Sequence, residues 1–207
     1  MKLIVFDLFG TLIEHQIRNS PYRTLIEYGR SHSRPVREND ARQIMSLNLN
    51  LRGIASQLGI VAPNNFLSEL EQQINEEIEA LTLFDDVYET LTSLADSKMP
   101  IAICSNLAQP YGRAVDNLLN TFSLHKFLSY ELGCIKPDQE IYQKISETIN
   151  LHPKQILLVG DNKYCDYLGP MKFGFQARHL IRQGSCGGGE ITNLKSVMSI
   201  VKSQRFS

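Results

Sequence analysis

Two carboxylates follow short apolar runs in this chain, at positions where they could carry hydrolytic chemistry. Asp7 directly follows the apolar run 3–6, and Asp161 follows the run 156–159, with Asp166 five residues further on. Carboxylate oxygens are hard ligands of the kind that Mg²⁺ takes, usually together with waters and a substrate phosphate. A carboxylate beside a cation and a lysine stays ionised and can attack phosphorus or carbon.

Further polar side chains that could take part in the same chemistry lie after an apolar run, near Asp7 or before a proline. Ser105 and Asn106 follow the run 101–104, Thr11 follows Asp7 by four residues, and Lys136 precedes Pro137. We expect the lysine and the two hydroxyls to hold the remaining phosphate oxygens. Gly10 lets the backbone turn sharply beside Thr11.

The elements that must bring these residues together are the strands of a parallel sheet. Uninterrupted apolar runs suit strands buried on both faces, and alternation of strands with helices favours a doubly wound α/β fold. All strands of such a sheet end at one edge, where ligands bind, so Asp7 and Asp161 can converge. The strands are predicted at 3–6, 101–104, 128–130, 156–159 and 176–181.

A block of helices interrupts this alternation. Residues 14–82 contain no convincing strand, and apolar residues recur at helical spacing over 21–30, 39–51 and 64–81. We predict a core domain formed by residues 1–13 and 83–207, with a helical insert at 14–82.

Composition restricts the partners. The 207 residues are 43% hydrophobic and 21% charged with a net charge of −1, so neither a nucleic acid nor an anionic membrane surface is indicated. The four cysteines show no zinc spacing, and no leader pattern or membrane-spanning run is present. We expect free thiols, a cytoplasmic location and a small-molecule substrate, while the oligomeric state stays open.

Four motifs, in order, resemble those of the haloacid dehalogenase superfamily, and the likeness covers nearly the whole chain. They are Asp7-Leu8-Phe9-Gly10-Thr11, a strand ending in Ser105-Asn106, Lys136-Pro137-Asp138, and Gly160-Asp161 with Asp166. The resemblance implies a Rossmann-like core, and the insert looks like the family's small α-helical cap.

The resemblance also implies roles for individual residues. Asp7 would be the covalent nucleophile, and Mg²⁺ would be bound by Asp7, Asp161 and the backbone carbonyl of Phe9. Asp166 would support the metal or Lys136 from behind. The groups expected to orient the substrate and stabilise the transferring group are Thr11, Ser105, Asn106 and Lys136. Those expected to contact the substrate are Phe9, Gly10, Asn106 and Asn162, although Asn162 could equally line its loop.

Phe9 departs from the family's phosphatase pattern, which has a second Asp there as the general acid. Phenylalanine cannot move a proton, and a positioned acid is typically worth ~10²–10⁴-fold. One interpretation is a metal-independent 2-haloacid dehalogenase, because those relatives carry an aromatic residue here and a tyrosine resembling Tyr142. Another is a phosphohydrolase restricted to good leaving groups such as acyl phosphates. A third is a weak or inactive member that binds a phosphorylated ligand or a protein.

Asp161 favours the phosphohydrolase interpretation. The dehalogenases resembled here usually have a small uncharged residue in its place. Without a cation, Asp161 beside Asp7 would raise one carboxyl pKa through like-charge repulsion and weaken the nucleophile. We therefore predict a Mg²⁺-dependent site acting on a phosphorylated metabolite, with His15 as the one histidine facing it and Tyr142 as a packing residue.

Overall fold

A computed structural model describes residues 1–184, 187 and 189–205. A six-stranded parallel sheet forms its centre, in the order β5-β4-β1-β6-β7-β8. The strands are β1 Leu3–Phe6, β2 Ile13–Glu14, β3 Thr82–Leu83, β4 Ile101–Ser105, β5 His125–Leu128, β6 Ile156–Gly160, β7 Gln176–Leu180 and β8 Glu190–Ile191. β2 and β3 form a separate antiparallel pair.

Ten α-helices surround the sheet within the described residues. They are α1 Pro21–Ser31, α2 Asp40–Ser46, α3 Leu51–Gln57, α4 Asn64–Glu79, α5 Val87–Asp96, α6 Arg113–Leu118, α7 Ser129–Leu132, α8 Gln139–Ile149, α9 Gly169–Phe173 and α10 Lys195–Arg205. Short 3₁₀ helices span Gln109–Gly112 and Pro153–Gln155, and a π-helical segment spans Lys163–Leu168.

The central strand β1 is buried on both faces, as its unbroken apolar sequence predicts. Ile4 and Phe6 pack into an apolar cluster with α5 and α10, whereas Leu3 and Val5 pack on the opposite face with α8. Helices on both faces are typical of the doubly wound architecture, so the predicted α/β fold is confirmed.

β1 lies at the point where the strand order reverses. The chain runs from β1 to β4 and β5 on one side, then returns to β6 on the other side of β1. Ligands of open α/β sheets bind at such a switch point, outside the carboxyl ends of the strands. Asp7, directly after β1, is therefore placed at the edge where a site is expected.

Helices α1–α4 form a bundle with its own apolar core. Leu25, Ile54, Leu70 and Ile74 are among its buried residues. The paired strands β2 and β3 lie at the two ends of this segment, so the chain leaves and re-enters the sheet domain at adjacent points. The domain division at 14–82 stays a prediction, and "cap" below denotes α1–α4.

Several sequence predictions were wrong in detail. The strand predicted at 128–130 lies at His125–Leu128 (β5), and Ser129–Leu132 forms a helix rather than part of a strand. Lys136 follows that helix, so it does not come from a strand end. The pattern over 39–51 corresponds to two helices, α2 and α3, separated by an extended segment.

Three cysteines, Cys104, Cys134 and Cys165, are free thiols as predicted, and Cys186 lies outside the described residues. Across the described part of the chain, every helix is too short or too polar to span a lipid bilayer.

Candidate active site

Lys136 joins two carboxylates beneath the carboxyl end of the sheet. Its Nζ donates to Oδ1 of Asp7 at 2.7 Å, to Oδ1 of Asp166 at 2.6 Å and to the backbone carbonyl of Cys104 at 2.7 Å. These three bonds use all three N–H groups of the ammonium. The lysine is 2% exposed, so its contact with Asp7, the predicted nucleophile, is shielded from solvent.

Asn106 holds the backbone of Lys136. Its Nδ2 donates to the Lys136 carbonyl at 2.7 Å, and its Oδ1 accepts from the Lys136 N–H at 2.8 Å. This paired contact explains how a lysine from a loop reaches the strand edge. In this structure Asn106 positions Lys136, and a direct role toward substrate stays a prediction.

Thr11 connects the first and last motifs. Its Oγ1 accepts from the Asp161 N–H at 3.1 Å and lies 3.5 Å from both Asp7 Oδ2 and Asp161 Oδ1. Gly10 between them has a φ of +83°, and a Cβ there would overlap the Asp161 carboxylate. Glycine is therefore required at position 10 for two reasons, the left-handed backbone and the close approach of Asp161.

Asp166 closes the cluster from behind. Its Oδ1 accepts from Lys136, and its Oδ2 accepts from the Asn162 N–H at 2.9 Å. The side chain of Asn162 caps the π-helical segment by accepting from the N–H groups of Tyr164 and Cys165. Asp166 is thus a supporting residue with both oxygens engaged, and Asn162 orders the loop that carries it.

Tyr142 anchors the same loop from the interior. It is fully buried, its hydroxyl donates to the Cys165 carbonyl at 2.6 Å, and its ring packs near Phe173 and Phe175. This placement agrees with the predicted packing role.

The cluster carries excess negative charge. Asp7, Asp161 and Asp166 face one ammonium, which leaves a formal charge of −2 on these four side chains. Burial raises the pKa of Asp7 to about 6, against the opposing effect of Lys136. Burial also raises the pKa of Asp161, and the Asp7 charge adds to that rise. Burial alone would lower the pKa of Lys136. The charges of Asp166 and Asp7 outweigh that effect and raise the pKa well above its normal value.

This donor set fits a divalent cation. One oxygen from each of the three carboxylates lies within 4.8 Å of the others, and Asp161 is the most exposed of the three residues. Hard oxygen donors with surplus negative charge suit Mg²⁺, which binds through one or two carboxylates and retains waters. Asp166 is buried and accepts a hydrogen bond on each oxygen, whereas Asp161 is exposed. Ligation of an ion by Asp7 and Asp161 stays a prediction.

Phe9 faces an aromatic environment next to the nucleophile. Its ring stacks on His15, with centroids 4.6 Å apart, and meets the edge of Tyr111 at 6.1 Å. A cavity of about 210 Å³ is lined by Asp7, Phe9, Asn106 and Lys136, among others, and by the buried Ser105. A larger cavity of about 400 Å³ beneath the cap shares Phe9, Asn106 and Asp161 with it.

The structure therefore brings the four sequence motifs to one edge of the sheet and places His15 beside Phe9, as expected. Sequence reasoning missed the Cys104 carbonyl as a partner of Lys136, because a backbone acceptor leaves no trace in residue type. It also missed Tyr22, Glu77 and Tyr111, which line the cavity under the cap. Glu77 on the otherwise apolar face of α4 was the available signal.

Comparisons with known proteins agree with this architecture. A family model described as haloacid dehalogenase-like hydrolase matches residues 1–171. The (S)-2-haloacid dehalogenase 4A of Burkholderia cepacia is 24% identical over 217 residues, covering 94% of this chain and 89% of that protein.

Solved structures share the fold at lower identity. A HAD phosphatase from Thermococcus onnurineus has a TM-score of 0.65 and 19% identity, covering 97% of this chain and 98% of its own. A HAD family enzyme from Bacteroides thetaiotaomicron, solved with magnesium and inorganic phosphate, has a TM-score of 0.64 and 16% identity, covering 89% and 96%. The matched proteins include phosphatases and several 2-haloacid dehalogenases, so the comparisons do not choose between these activities.

Proposed function

Because the chain belongs to the haloacid dehalogenase-like hydrolase family, we propose that it is a Mg²⁺-dependent phosphohydrolase with Asp7 as its nucleophile. The observation that carries this proposal is the surplus of carboxylates at one lysine: the buried Asp7 and Asp166 bind Lys136, and the exposed Asp161 lies beside them. Two adjacent carboxylates with raised pKa values are costly without a cation. Asp7 and Asp161 would hold a divalent ion, whose charge would offset that cost and favour the ionised form of Asp7.

The proposed metal ligands are Asp7, Asp161 and the backbone carbonyl of Phe9. When bound, Mg²⁺ would neutralise charge on the transferring phosphoryl group. Asp166 holds Lys136 and the loop, and Lys136 orients Asp7 with all three of its N–H groups in use. Thr11 and Ser105 are the proposed contacts to phosphoryl oxygens. Because the Phe9 contribution is a backbone atom, the aromatic side chain does not remove it.

Asp7 acts through the oxygen that Lys136 leaves free. Lys136 binds Oδ1, so Oδ2 attacks phosphorus while the bond from phosphorus to the leaving oxygen breaks. The leaving oxygen keeps the electron pair, and an aspartyl phosphate forms. Water then attacks that phosphorus, loses its proton to solvent, and releases phosphate with Asp7 restored.

Phe9 limits which leaving groups can depart. No proton donor occupies position 9, so the leaving oxygen departs as an anion. Weakly basic leaving groups, such as carboxylates from acyl phosphates and the p-nitrophenolate of p-nitrophenyl phosphate, satisfy that condition. We propose that the substrate is a small phosphorylated metabolite of this activated kind.

The insert at 14–82 would act as a cap domain that supplies the upper wall of the substrate cavity. Residues from α1, α2 and α4, including Tyr22, Met45 and Glu77, face residues of the sheet domain across that cavity. We place the enzyme in the cytoplasm, in line with its free thiols.

A second candidate is a 2-haloacid dehalogenase, favoured by the aromatic residue at position 9. There Asp7 would attack carbon, and a halide needs no proton to leave. The relative from Burkholderia cepacia carries a name of this class. Against it stands Asp161, whose charge beside Asp7 would oppose a metal-free nucleophile.

Product release from acetyl phosphate, p-nitrophenyl phosphate and 2-chloropropionate, each with MgCl₂ and with EDTA, separates these functions. The proposal expects Mg²⁺-dependent phosphate release and no chloride release. Chloride release in EDTA would sink it in favour of the dehalogenase. Absence of turnover on all three, with Mg²⁺ still bound, would indicate a binding protein instead.

A further inference from the structure

The cavity under the cap contains two hydrogen-bonding atoms without partners. Nδ1 of His15 and the hydroxyl of Tyr22 are both shielded from solvent, and neither has a hydrogen-bond partner among the described residues. A buried polar group left unsatisfied costs roughly 1–3 kcal/mol, so native structures satisfy nearly all of them. Two such atoms at one cavity indicate that something else supplies their partners.

Both residues line the larger cavity, which adjoins the reacting carboxylates. Aromatic contacts connect them to the nucleophile side of the site: Tyr22 lies 6.5 Å from Tyr111, Tyr111 lies 6.1 Å from Phe9, and Phe9 stacks on His15. These four side chains form an aromatic wall of the cavity. The wall begins at Phe9, beside the nucleophile, so we expect it to flank the part of a substrate that leaves when Asp7 attacks.

Tyr111, in the same wall, has a hydroxyl group whose hydrogen bond is satisfied within the protein. Its hydroxyl donates to the Glu77 carboxylate, and Glu77 also accepts from the Ser20 N–H at 2.8 Å. Tyr22 has no equivalent acceptor. Burial raises the pKa of the Tyr22 hydroxyl, so it remains a donor at neutral pH.

We infer that His15 Nδ1 and the Tyr22 hydroxyl recognise a polar group, a hydroxyl or carbonyl oxygen, on the planar leaving group of the substrate. This inference rests on the proposed function and narrows its substrate class to activated phosphates whose leaving group carries a second oxygen function. The aromatic wall packs against the plane of the leaving group, and the two atoms select its polar end. His15 and Tyr22 are therefore specificity-determining residues.

A matched pair of esters tests this selection. Phenyl phosphate and its 3- or 4-hydroxyphenyl analogues have leaving groups of similar basicity, and only the analogues offer the second oxygen. We expect wild-type kcat/KM with Mg²⁺ to favour one hydroxylated ester by roughly ten-fold, as expected for a site that hydrogen-bonds its substrate.

Tyr22→Phe removes only the hydroxyl, and we expect it to reduce that ratio to within about two-fold. The control is Tyr28→Phe on the same helix, whose ring packs on His32 and Phe66 outside the cavity and should keep the wild-type ratio. His15→Ala should also lose the preference, and His15→Asn, which keeps a polar atom near the position of Nδ1, should restore part of it.

The outcomes distinguish this inference from the proposed function. If the wild-type enzyme hydrolyses both esters equally well, the inference is overturned and the phosphohydrolase stands. If it hydrolyses neither, turnover of acetyl phosphate decides the phosphohydrolase, and calorimetric binding of the same esters decides the inference. Tighter binding of the hydroxylated ester that Tyr22→Phe removes would support it, and equal or absent binding would overturn it.

Discussion

Two buried clusters of charge, one in the cap and one at the sheet edge, are built in opposite ways. In the cap, Arg34 donates to both oxygens of Asp40 and to the Leu58 carbonyl, and Asp40 also accepts from the Arg37 N–H. The ions are matched one to one, and the Arg34 hydrogen bonds hold the pKa of Asp40 below its usual range. At the sheet edge, Asp7 and Asp166 share one lysine, a third carboxylate, Asp161, lies beside them, and burial raises the pKa of Asp7 to about 6.

The difference separates a structural ion pair from a site prepared for a ligand. The cap pair is complete within the protein, and it joins the end of α1 to α2 and α3. The sheet-edge cluster is electrostatically incomplete, because burial and mutual repulsion penalise its ionised state. Unmatched charge in a cavity therefore indicates function more strongly than buried charge alone.

The largest expected effect comes from neutralising one carboxylate in each cluster. Asp7→Asn should lower turnover of acetyl phosphate by roughly 10³-fold or more, since it removes the nucleophile. Asp40→Asn should keep kcat within a few-fold and lose stability instead. Steady-state kinetics and urea unfolding of both variants provide the measurement. Substantial turnover by Asp7→Asn would exclude Asp7 as the nucleophile.

Replacing the positively charged side chain of each cluster should destabilise the protein in both cases, but Mg²⁺ should restore stability in only one of them. Lys136→Met and Arg34→Met each leave buried carboxylates unpaired, which costs about 3–5 kcal/mol. Mg²⁺ should restore part of the loss only in Lys136→Met, because only that cluster can accept an ion. Urea unfolding with MgCl₂ and with EDTA measures this, and equal responses of both variants would remove the distinction.

The pH dependence of stability should have opposite signs in the two clusters. The pKa of Asp7 is raised from 3.8 to about 6. Between these two pH values the native state therefore binds more protons than the unfolded state. Its contribution to the unfolding free energy falls by about 3 kcal/mol as pH rises through that window. The pKa of Asp40 is lowered, so its contribution is present above pH 4 and is lost as pH falls further.

Unfolding in EDTA at intervals from pH 3 to pH 7 checks these signs, with Asp7→Asn and Asp40→Asn identifying each contribution. Mg²⁺ should reduce the pH dependence of the unfolding free energy that comes from Asp7, since it favours the ionised carboxylate. If Asp7→Asn leaves the profile between pH 4 and pH 6 unchanged, the Asp7 assignment is wrong.

The smallest expected effect adds a fourth carboxyl group to the sheet-edge cluster. Phe9→Asp places an acid beside surplus negative charge, which raises its pKa and keeps it protonated. We expect hydrolysis of phenyl phosphate to rise by roughly ten-fold and that of acetyl phosphate to change less, because only the aryl oxide benefits from a proton. A loss on both substrates would instead mean that the Phe9 ring packs against the substrate.

The sequence predicted much of the sheet edge because its residues follow short apolar strands. Asp7 and Asp161 could be placed together from strand ends alone, and four motifs in order added Lys136 and Asp166. The position of Lys136 was less predictable, since it follows the short helix α7 rather than a strand. Its capture by Asn106 depends on a backbone contact 30 residues away.

The cap was predictable as helices but not as a binding wall. Apolar periodicity identifies α4 and puts Glu77 on its buried face, yet it does not reveal the cavity that Glu77 and Tyr22 line. The ion pair of Arg34 with Asp40 was likewise not predictable, because it depends on how the segment between α1 and α2 folds against the end of α3. Specificity residues such as His15 and Tyr22 emerge only when packing reveals which polar atoms remain unpaired.

Calorimetric titration of MgCl₂ into the protein tests the central claim most directly, with Asp161→Asn and Asp40→Asn titrated alongside. The account predicts saturable one-to-one binding by wild type and by Asp40→Asn, strongly weakened in Asp161→Asn. Absence of binding to wild type, or equal binding by all three proteins, would contradict the claim that the surplus carboxylates form a Mg²⁺ site.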